Sequence, residues 1–373
     1  MSQPVCDLIL LSWNQWEETQ PCLESLFACT DVPCRLFIVD NGSEPAVREA
    51  LRAVTPRGMV QEVTLLQNET NEGFPKGMNR GLRASTAPYA CLLNNDLVFT
   101  PGWLSRMLEV AEAHPEIGVL NPASSTFNNY PPKGVSLEAY AASLAPARGR
   151  YVEVGMCIGF CFLIPRRVLD RLGALSEDVD RIFFEDEDYC MRAAQAGWRC
   201  AVVDSAYVFH TEHQSVRKVP ERETLFRRNQ AWCERKWGRR LRLVVPHPRL
   251  LHPGSAELRR FLEEAVSLAR RRCLVYVYAP MPGASDVRGL FRSVGLAPHA
   301  DVLWRAVPAG WCAPASLWAI VVRRKKPFNA IVAPTPGWAR LFRGLRWLHR
   351  AEVLPPSDAS AIDRLRSAPC PIL

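Results

Sequence analysis

The first 120 residues predict an α/β fold built on a mostly parallel, doubly wound sheet. Its apolar runs are short and continuous rather than alternating, as in strands covered on both faces. Stretches of helical period separate them, and each run ends in polar or glycine-containing residues. Cys6–Leu11 is the first such run, closing in Ser12-Trp13-Asn14, and Glu17–Phe27 follows with helical spacing. Arg35–Val39 ends in Asp40-Asn41-Gly42-Ser43 before a helix over Ala46–Val54. Val63–Leu66 leads into the loop Gln67–Gly73 and a helix over Lys76–Ala84. Tyr89–Leu93 ends in Asn94-Asn95-Asp96, and Gly102–Ala113 is helical again.

Beyond this repeat, Thr126–Arg150 is rich in Pro, Asn, Ser and Ala with little period, which predicts a long loop, and a substrate lid is the expectation. Gly155–Ile164 reads as a strand, Arg166–Leu172 as a short helix, and Asp186–Ala196 as a helix stopped by Gly197. Arg199–Val203 and Ala206–Phe209 read as strands, and Glu221–Trp237 as a basic helix. Pro246, Pro248 and Pro253 make Val244–Gly254 a stiff linker between a domain over 1–243 and a small α/β unit over 255–373. In that unit, helices are expected over Ser255–Arg271 and Asp286–Val294, with strands at Leu274–Ala279, Trp318–Val322 and Ala330–Ala333. It carries no catalytic motif.

Of the 373 residues, 48% are hydrophobic and 23% charged, which excludes a disordered or fibrous chain. No apolar run approaches the ~18 residues of a membrane span. Met1–Cys6 lacks a basic region, so a soluble, cytoplasmic protein is expected. The 13 cysteines are scattered through apolar stretches, as small buried thiols are in a reducing compartment. Cys157 and Cys161 have no second pair near them to complete a metal site. The net charge of +8 rests on arginine, since lysine occurs only at positions 76, 133, 218, 236, 325 and 326. Between Arg217 and Arg242, ten Lys and Arg face Glu221, Glu223 and Glu234. That local excess suits a phosphate-bearing substrate or an anionic membrane surface, whereas no nucleic-acid motif accompanies it.

Ligands of open parallel α/β sheets bind beyond the carboxyl ends of the strands. Here four successive strands end in Ser12 and Asn14, Asp40 and Ser43, Asn68 and Asn71, and Asn94 with Asp96. Turns alone require such residues, but four on one edge suggest a nucleotide site. Asp96 precedes Pro101 and Gly102, too early to cap the next helix, and a carboxylate there can hold a cation bridging a diphosphate. Glu185-Asp186-Glu187-Asp188 suits a helix start through the helix dipole. Following Ile182-Phe183-Phe184, the first acid or two would sit half-buried, where crowding raises a carboxylate's proton affinity toward that of a general base. His210 closes the following strand, and His213 three positions later finds no third zinc ligand nearby.

Taken in order, Leu11–Asn14, Ile38–Ser43, Asn71–Phe74 with Lys76–Asn79, Leu92–Asp96, Pro101–Leu104, Phe184–Arg192 and Phe209-His210 resemble glycosyltransferase family 2, in its bacterial rhamnosyl- and galactofuranosyl-type branch. The resemblance covers roughly residues 5–240 and extends to Arg228-Asn229. It implies a GT-A nucleotide-diphospho-sugar transferase fold and inverting transfer, from dTDP-rhamnose or a UDP-sugar to a hydroxyl of a glycan or lipid-linked acceptor. By position, Ser12, Asn14 and Asp40 would hold the donor's base and ribose. Asn71, Gly73, Lys76 and Asn79 would line its phosphates and sugar. Asn94, Asn95 and Asp96 occupy the place of the Asp-x-Asp signature, with Asp96 and His210 as ligands of Mg²⁺ or Mn²⁺. Asp186 matches the catalytic base, supported by Glu185, Asp188 and Arg192. One departure is Asn94, an uncharged and weaker ligand where the family has Asp.

Two rivals remain. A sugar-phosphate nucleotidyltransferase would need a Gly-rich basic loop after the first strand, where Ser12–Glu17 has neither glycine nor base. A non-catalytic nucleotide-sugar-binding relative would not need Asp96, Asp186 and His210 together. Localisation is expected to be cytoplasmic, with a peripheral contact at the inner face of the plasma membrane left open.

Overall fold

A computed structural model describes residues 3–211, 221–282, 286–322, 326–356 and 358–367. The chain divides into two compact units, Met1–Cys233 and Glu234–Leu373. The first holds β1 (Cys6–Ser12), α1 (Trp16–Cys29), β2 (Cys34–Asp40), α2 (Pro45–Arg52), β3 (Val60–Gln67), α3 (Phe74–Ala84) and β4 (Tyr89–Leu93). It continues with β5 (Leu97–Phe99), α4 (Trp103–Ala113), β6 (Ile117–Ala123), α5 (Leu137–Ser143), β7 (Tyr151–Val154) and β8 (Cys161–Pro165). Last come α6 (Arg166–Leu172), α7 (Glu185–Gln195), β9 (Arg199–His210) and the start of α8 (Arg222–Trp237).

Among the described residues these strands form one sheet in the order β3-β2-β1-β4-β8-β6-β9-β5, with β7 also paired to β9. β3, β2, β1 and β4 are parallel, so Ser12, Asp40, Gln67 and Leu93 end on one edge. Successive residues of β1 serve different cores. Leu8 and Leu10 pack with α1 and α4 residues such as Leu26 and Trp103, while Ile9 packs on the other face with Met78 and Leu82 of α3. Burial on both faces is the physical reason the run is continuously apolar. The β8 strand is antiparallel to both β4 and β6, and β9 is parallel to β6, which makes the sheet mixed.

Buried at the amino end of β1, Asp7 binds Arg35 through two contacts of 2.8 Å and accepts the backbone N–H groups of Thr86 at 2.6 Å and Ala87 at 2.8 Å. A carboxylate this enclosed is costly to lose because its partners stay behind unpaired. Asp7→Ala is expected to lower unfolding stability by ~3–5 kcal/mol. Urea unfolding read by circular dichroism checks this, and a loss under ~1 kcal/mol, within the range of exposed ion pairs, would refute it.

Several segments differ from their expected form. Gly155–Ile164 is not one strand, because β7 and β8 flank a loop from 155 to 160. Arg199–Val203 and Ala206–Phe209 merge into the single strand β9. Thr126–Arg150 is not a bare loop, since Ser125–Phe127 forms a 3₁₀ turn and α5 packs Ala141 near Tyr207 of β9. Short β5, directly after Asp96, escaped notice because its three residues are too few to show a period.

The second unit holds β10 (Leu241–Pro246), α9 (Ala256–Arg270), β11 (Cys273–Ala279), α10 (Val287–Ser293), β12 (Val302–Ala306) and α11 (Cys312–Val322). It then has β13 (Ala330–Val332), α12 (Pro336–Gly344), α13 (Arg346–His349), β14 (Glu352–Leu354) and α14 (Ala359–Ser367). Its sheet is wholly parallel in the order β12-β11-β10-β13-β14. The expected linker is therefore partly strand, because Val244–Pro246 complete β10 between β11 and β13. Pro246 is tolerated as the last residue of its strand, where the ladder ends. Trp318–Val322, expected as a strand, is the second half of α11, since short apolar runs do not reveal their period.

Candidate active site

At the sheet edge where β1, β2 and β4 end, a cavity of about 420 Å³ opens. Its polar wall includes Asn41, Asn71, Asn94, Asn95, Asp186 and His210, and its apolar wall includes Trp13, Phe74, Phe160, Phe184 and Phe226.

The backbone fixes Asp186. Its Oδ2 accepts the Gly159 N–H at 3.0 Å and its Oδ1 accepts the Glu187 N–H at 2.7 Å. Both bonds favour the anion, yet removal from water outweighs them and raises the Asp186 carboxyl to about 6. Burial, with Asp186 beside it, raises Glu185 further, to about 8. Its Oε2 is buried without a hydrogen-bond partner. A base that ionises near 6 should make activity climb about tenfold per pH unit below that value and level off above it.

Stability carries the opposite sign. The folded chain holds the Glu185 proton more tightly than the unfolded chain does, so stability falls as pH rises from the ordinary value of 4.5 through about 8. Glu185→Gln should flatten the urea midpoint across that window, and an unchanged slope would refute the assignment.

The loop before α7 aims these acids. Arg181, Phe183 and Phe184 adopt positive φ of 57°, 78° and 73°, a costly conformation for side-chain-bearing residues. Neighbours hold it in place. The Phe74 N–H donates to Arg181 O at 2.6 Å, and Asn229 Nδ2 donates to Asp180 O at 2.9 Å and to Ile182 O at 2.7 Å. Arg228 pairs with Asp180, and the ring of Phe226 lies 5.4 Å from Phe183 and 5.2 Å from Phe184. Gly73 has φ of 87°, and a Cβ there would lie 2.7 Å from Arg181 Cα, so only glycine allows this approach. The expected apolar run Ile182–Phe184 is thus a strained loop presenting aromatic rings, a feature invisible to pattern reading.

Opposite register between β5 and β9 brings Asp96 and His210 together. His210 Nε2 lies 3.1 Å from Asp96 Oδ1, and Asn94 Nδ2 lies 3.5 Å from the same nitrogen. On the ring's other side, Nδ1 is 2.9 Å from Thr126 Oγ1, while Phe160 stacks on the ring at 5.2 Å. Ser125 holds the His210 backbone at both N–H and C=O.

These residues fit a divalent cation. Adjacent ligands of an ion with ~2.1 Å bonds stand about 3 Å apart, and Asp96 Oδ1 is a buried acceptor without a hydrogen-bond donor. Thr126 on Nδ1 leaves Nε2 to face the ligand, as outer partners of metal-bound histidines do. Among the described residues no group of three or more His, Cys, Asp or Glu could hold a metal alone. Two protein ligands leave room for substrate phosphates, the usual arrangement for Mg²⁺. Cys157 and Cys161 are both buried and form no disulfide.

The remaining expected site residues are dispersed. Ser12 is buried against Thr19, at 3.3 Å between hydroxyls, and Asn14 Oδ1 accepts the Glu44 N–H at the start of α2. Asp40 is buried, accepting the Ser43 N–H at 2.9 Å with Arg48 Nε at 3.4 Å. Lys76 is exposed on α3, outside the cavity wall. Asn79 does not face the cavity, because its amide exchanges hydrogen bonds with Leu175 and donates to Glu177. Arg192 is likewise occupied, bound to Asp188 and to the carbonyls of Leu172 and Ala174, which ties α7 to the end of α6. Asn41 has the sequence signature of an ordinary turn residue, yet it organises the loop. It donates to Asn71 Oδ1 and Gly73 O, and accepts from Asn68 Nδ2 and the Glu72 N–H. His213, Arg217 and Lys218 lie outside the described residues.

Residues 7–173 match the family described as Glycosyl transferase family 2. The uncharacterised protein y4gI of Sinorhizobium fredii is 25% identical over 224 residues, covering 54% of this chain and 24% of that protein. An uncharacterised glycosyltransferase of Haemophilus influenzae is 31% identical over 123 residues, 33% of this chain and 40% of its own length. The N-acetylglucosaminyl-diphospho-decaprenol L-rhamnosyltransferase of Mycobacterium tuberculosis is 24% identical over 253 residues, 58% of this chain and 79% of that enzyme. The chain thus spans well under half the length of the first two relatives. The solved mannosyltransferase PcManGT of Pyrobaculum calidifontis, in complex with GDP-Man and Mn²⁺, superposes loosely at 17% identity and a TM-score of 0.43, over 63% of this chain and 61% of that one. The matched segment, which includes Asp96, is thus similar to glycosyltransferase family 2, and the first unit is a mixed α/β fold whose first four strands are parallel.

Proposed function

We propose that this protein transfers a sugar from a nucleotide-diphosphate donor to a hydroxyl of a glycan or lipid-linked acceptor, with inversion at the anomeric carbon. The observation that carries this reading is one cavity lined by both a backbone-fixed carboxylate, Asp186, and His210, whose Nε2 lies 3.1 Å from Asp96 Oδ1. As anion, Asp186 takes the acceptor hydroxyl's proton while that oxygen attacks the face opposite the leaving diphosphate. Asp96 and His210 would hold Mg²⁺ or Mn²⁺, which when bound offsets charge growing on the leaving group. A protein nucleophile is unnecessary, because inversion takes a single displacement.

Asn71 and Asn95, with Asn94, place amide groups where sugar hydroxyls or phosphates would bind. A rhamnose donor is favoured by similarity to the mycobacterial rhamnosyltransferase and by the aromatic wall, which suits a sugar bearing a methyl group. The basic surface of α8, with Arg227, Arg228 and Arg235, would meet the diphosphate of a lipid-linked acceptor rather than the bilayer itself. No helix among the described residues is long and apolar enough to cross a membrane.

A panel of dTDP-, UDP- and GDP-sugars with Mg²⁺ or Mn²⁺, scored by nucleoside diphosphate release and anomeric configuration of product, tests the proposal. Turnover of one donor with inverted product is the expected result. Donor binding without turnover across acceptors would favour a binding relative, and release of pyrophosphate from a sugar phosphate and nucleoside triphosphate would favour nucleotidyl transfer.

A further inference from the structure

We infer that the second unit carries a docking surface for an anionic lipid bilayer, formed by α11, α13 and the indoles of Trp311, Trp318 and Trp347. This goes beyond the catalytic reading and does not depend on it, since every residue used lies past the family match.

The surface starts from an odd helix. α11 contains no charged residue, yet it is only partly covered. Trp311, Pro314, Trp318 and Val322 are exposed at successive spacings of three, four and four, which places them on one helical stripe. Trp311 is 63% exposed and Trp318 71%. A surface helix ordinarily turns charged residues outward, so an outward apolar stripe needs an occupant. α13 lies beside α11 and adds Trp347, 77% exposed, with Leu348.

Charge identifies the occupant. From Val302 to Ala351 the sequence has nine Lys and Arg and not one Asp or Glu. Arg340, Arg343, Arg346 and Arg350 are exposed on or next to α12 and α13, and Lys326 is exposed past the end of α11. Of these, Arg346 pairs with Glu352, just beyond the acid-free stretch. Indoles settle at the bilayer interface because they are apolar bodies with one polar group, and arginines extend past them to lipid phosphates. α11 has 11 residues, a length of about 16 Å, far short of the ~30 Å hydrocarbon core, so it would lie in the interface plane. A protein partner would more often meet arginines interspersed with acids, because interfaces take their register from charges of both signs.

The test is flotation of the full chain with phosphatidylcholine vesicles, with and without about 30% phosphatidylglycerol, at about 50 mM salt where surface charge is little screened. The chain should float with the anionic vesicles only and leave them at high salt. Trp318→Ala with Trp347→Ala, and separately Arg343→Glu with Arg350→Glu, should each weaken binding at least about tenfold. Thermal midpoints should stay unchanged, because these side chains are exposed. Arg227→Glu with Arg235→Glu on α8 should float like the parent.

Failure of the parent chain to float would overturn the inference, as would parental flotation of both the Trp and Arg variants. Loss of binding in the α8 variant alone would overturn it in favour of that helix. A dimer seen by light scattering, abolished by the Trp substitutions in a chain that does not float, would assign the face to a second copy instead.

Discussion

Asp186→Asn is expected to cut turnover by ~10²–10⁴-fold, the range for removing a general base, while nucleoside diphosphate binding changes less than about threefold. An amide has no basic lone pair at neutral pH, and its shape still fills the place beside Gly159 and Glu187. One of its two faces would meet a backbone N–H with an NH₂ group, so a modest stability loss of ~1 kcal/mol accompanies the change. Product release with matched donor and acceptor, together with calorimetry of nucleoside diphosphate binding, checks both halves. Parental turnover in the variant would remove Asp186 from the mechanism, and Glu185, buried at the same helix start, would be the next acid to test.

Asp96→Ala is expected to lower kcat/KM by ~10²–10³-fold, comparable to losing one preorganised group that stabilises developing charge. The effect should mirror removal of divalent metal by chelation, and chelation should add little to the variant's defect. His210→Ala should lose ~10–100-fold, and Thr126→Val less, because the threonine orients the ring rather than meeting the ligand. Titration of activity against Mn²⁺ separates these cases: the half-saturating concentration should rise in the His210 and Thr126 variants. An Asp96 variant that keeps metal-dependent activity at the parental midpoint would refute the assignment. Asn94, amide rather than acid, should leave that midpoint higher in the parent than in Asn94→Asp.

The strand edge was legible because chemistry and topology coincide there. Parallel strands end on one side, and polar tails on four successive runs therefore converge. The roles proposed for Asp186 and His210 rest on motif resemblance, since nothing local distinguishes a helix-start acid from a catalytic one. What misled was residue type read without direction. Asn79 and Arg192 sit in familial motifs, yet their hydrogen bonds are spent on the segment from 172 to 177. Asn41, by contrast, reads as a turn residue, and only its four partners reveal it as the hub of the loop that follows β3. The aromatic wall was hidden too, because Phe226 reaches Phe183 and Phe184 from a helix some forty residues downstream.

Residue order alone determined the parallel β1–β4 part of the first unit, because strands buried on two faces must be apolar throughout and their helices must show a 3.6-residue period. It also determined that the last third of the chain contains a fifty-residue stretch without a single acid. Tertiary structure alone decided that Asp96 and His210 meet, that a positive-φ loop carries Asp186 to the cavity, and that three tryptophans face outward. Each of those depends on where distant segments pack, and local periodicity reports which residues share a face of one element but not what lies across from it.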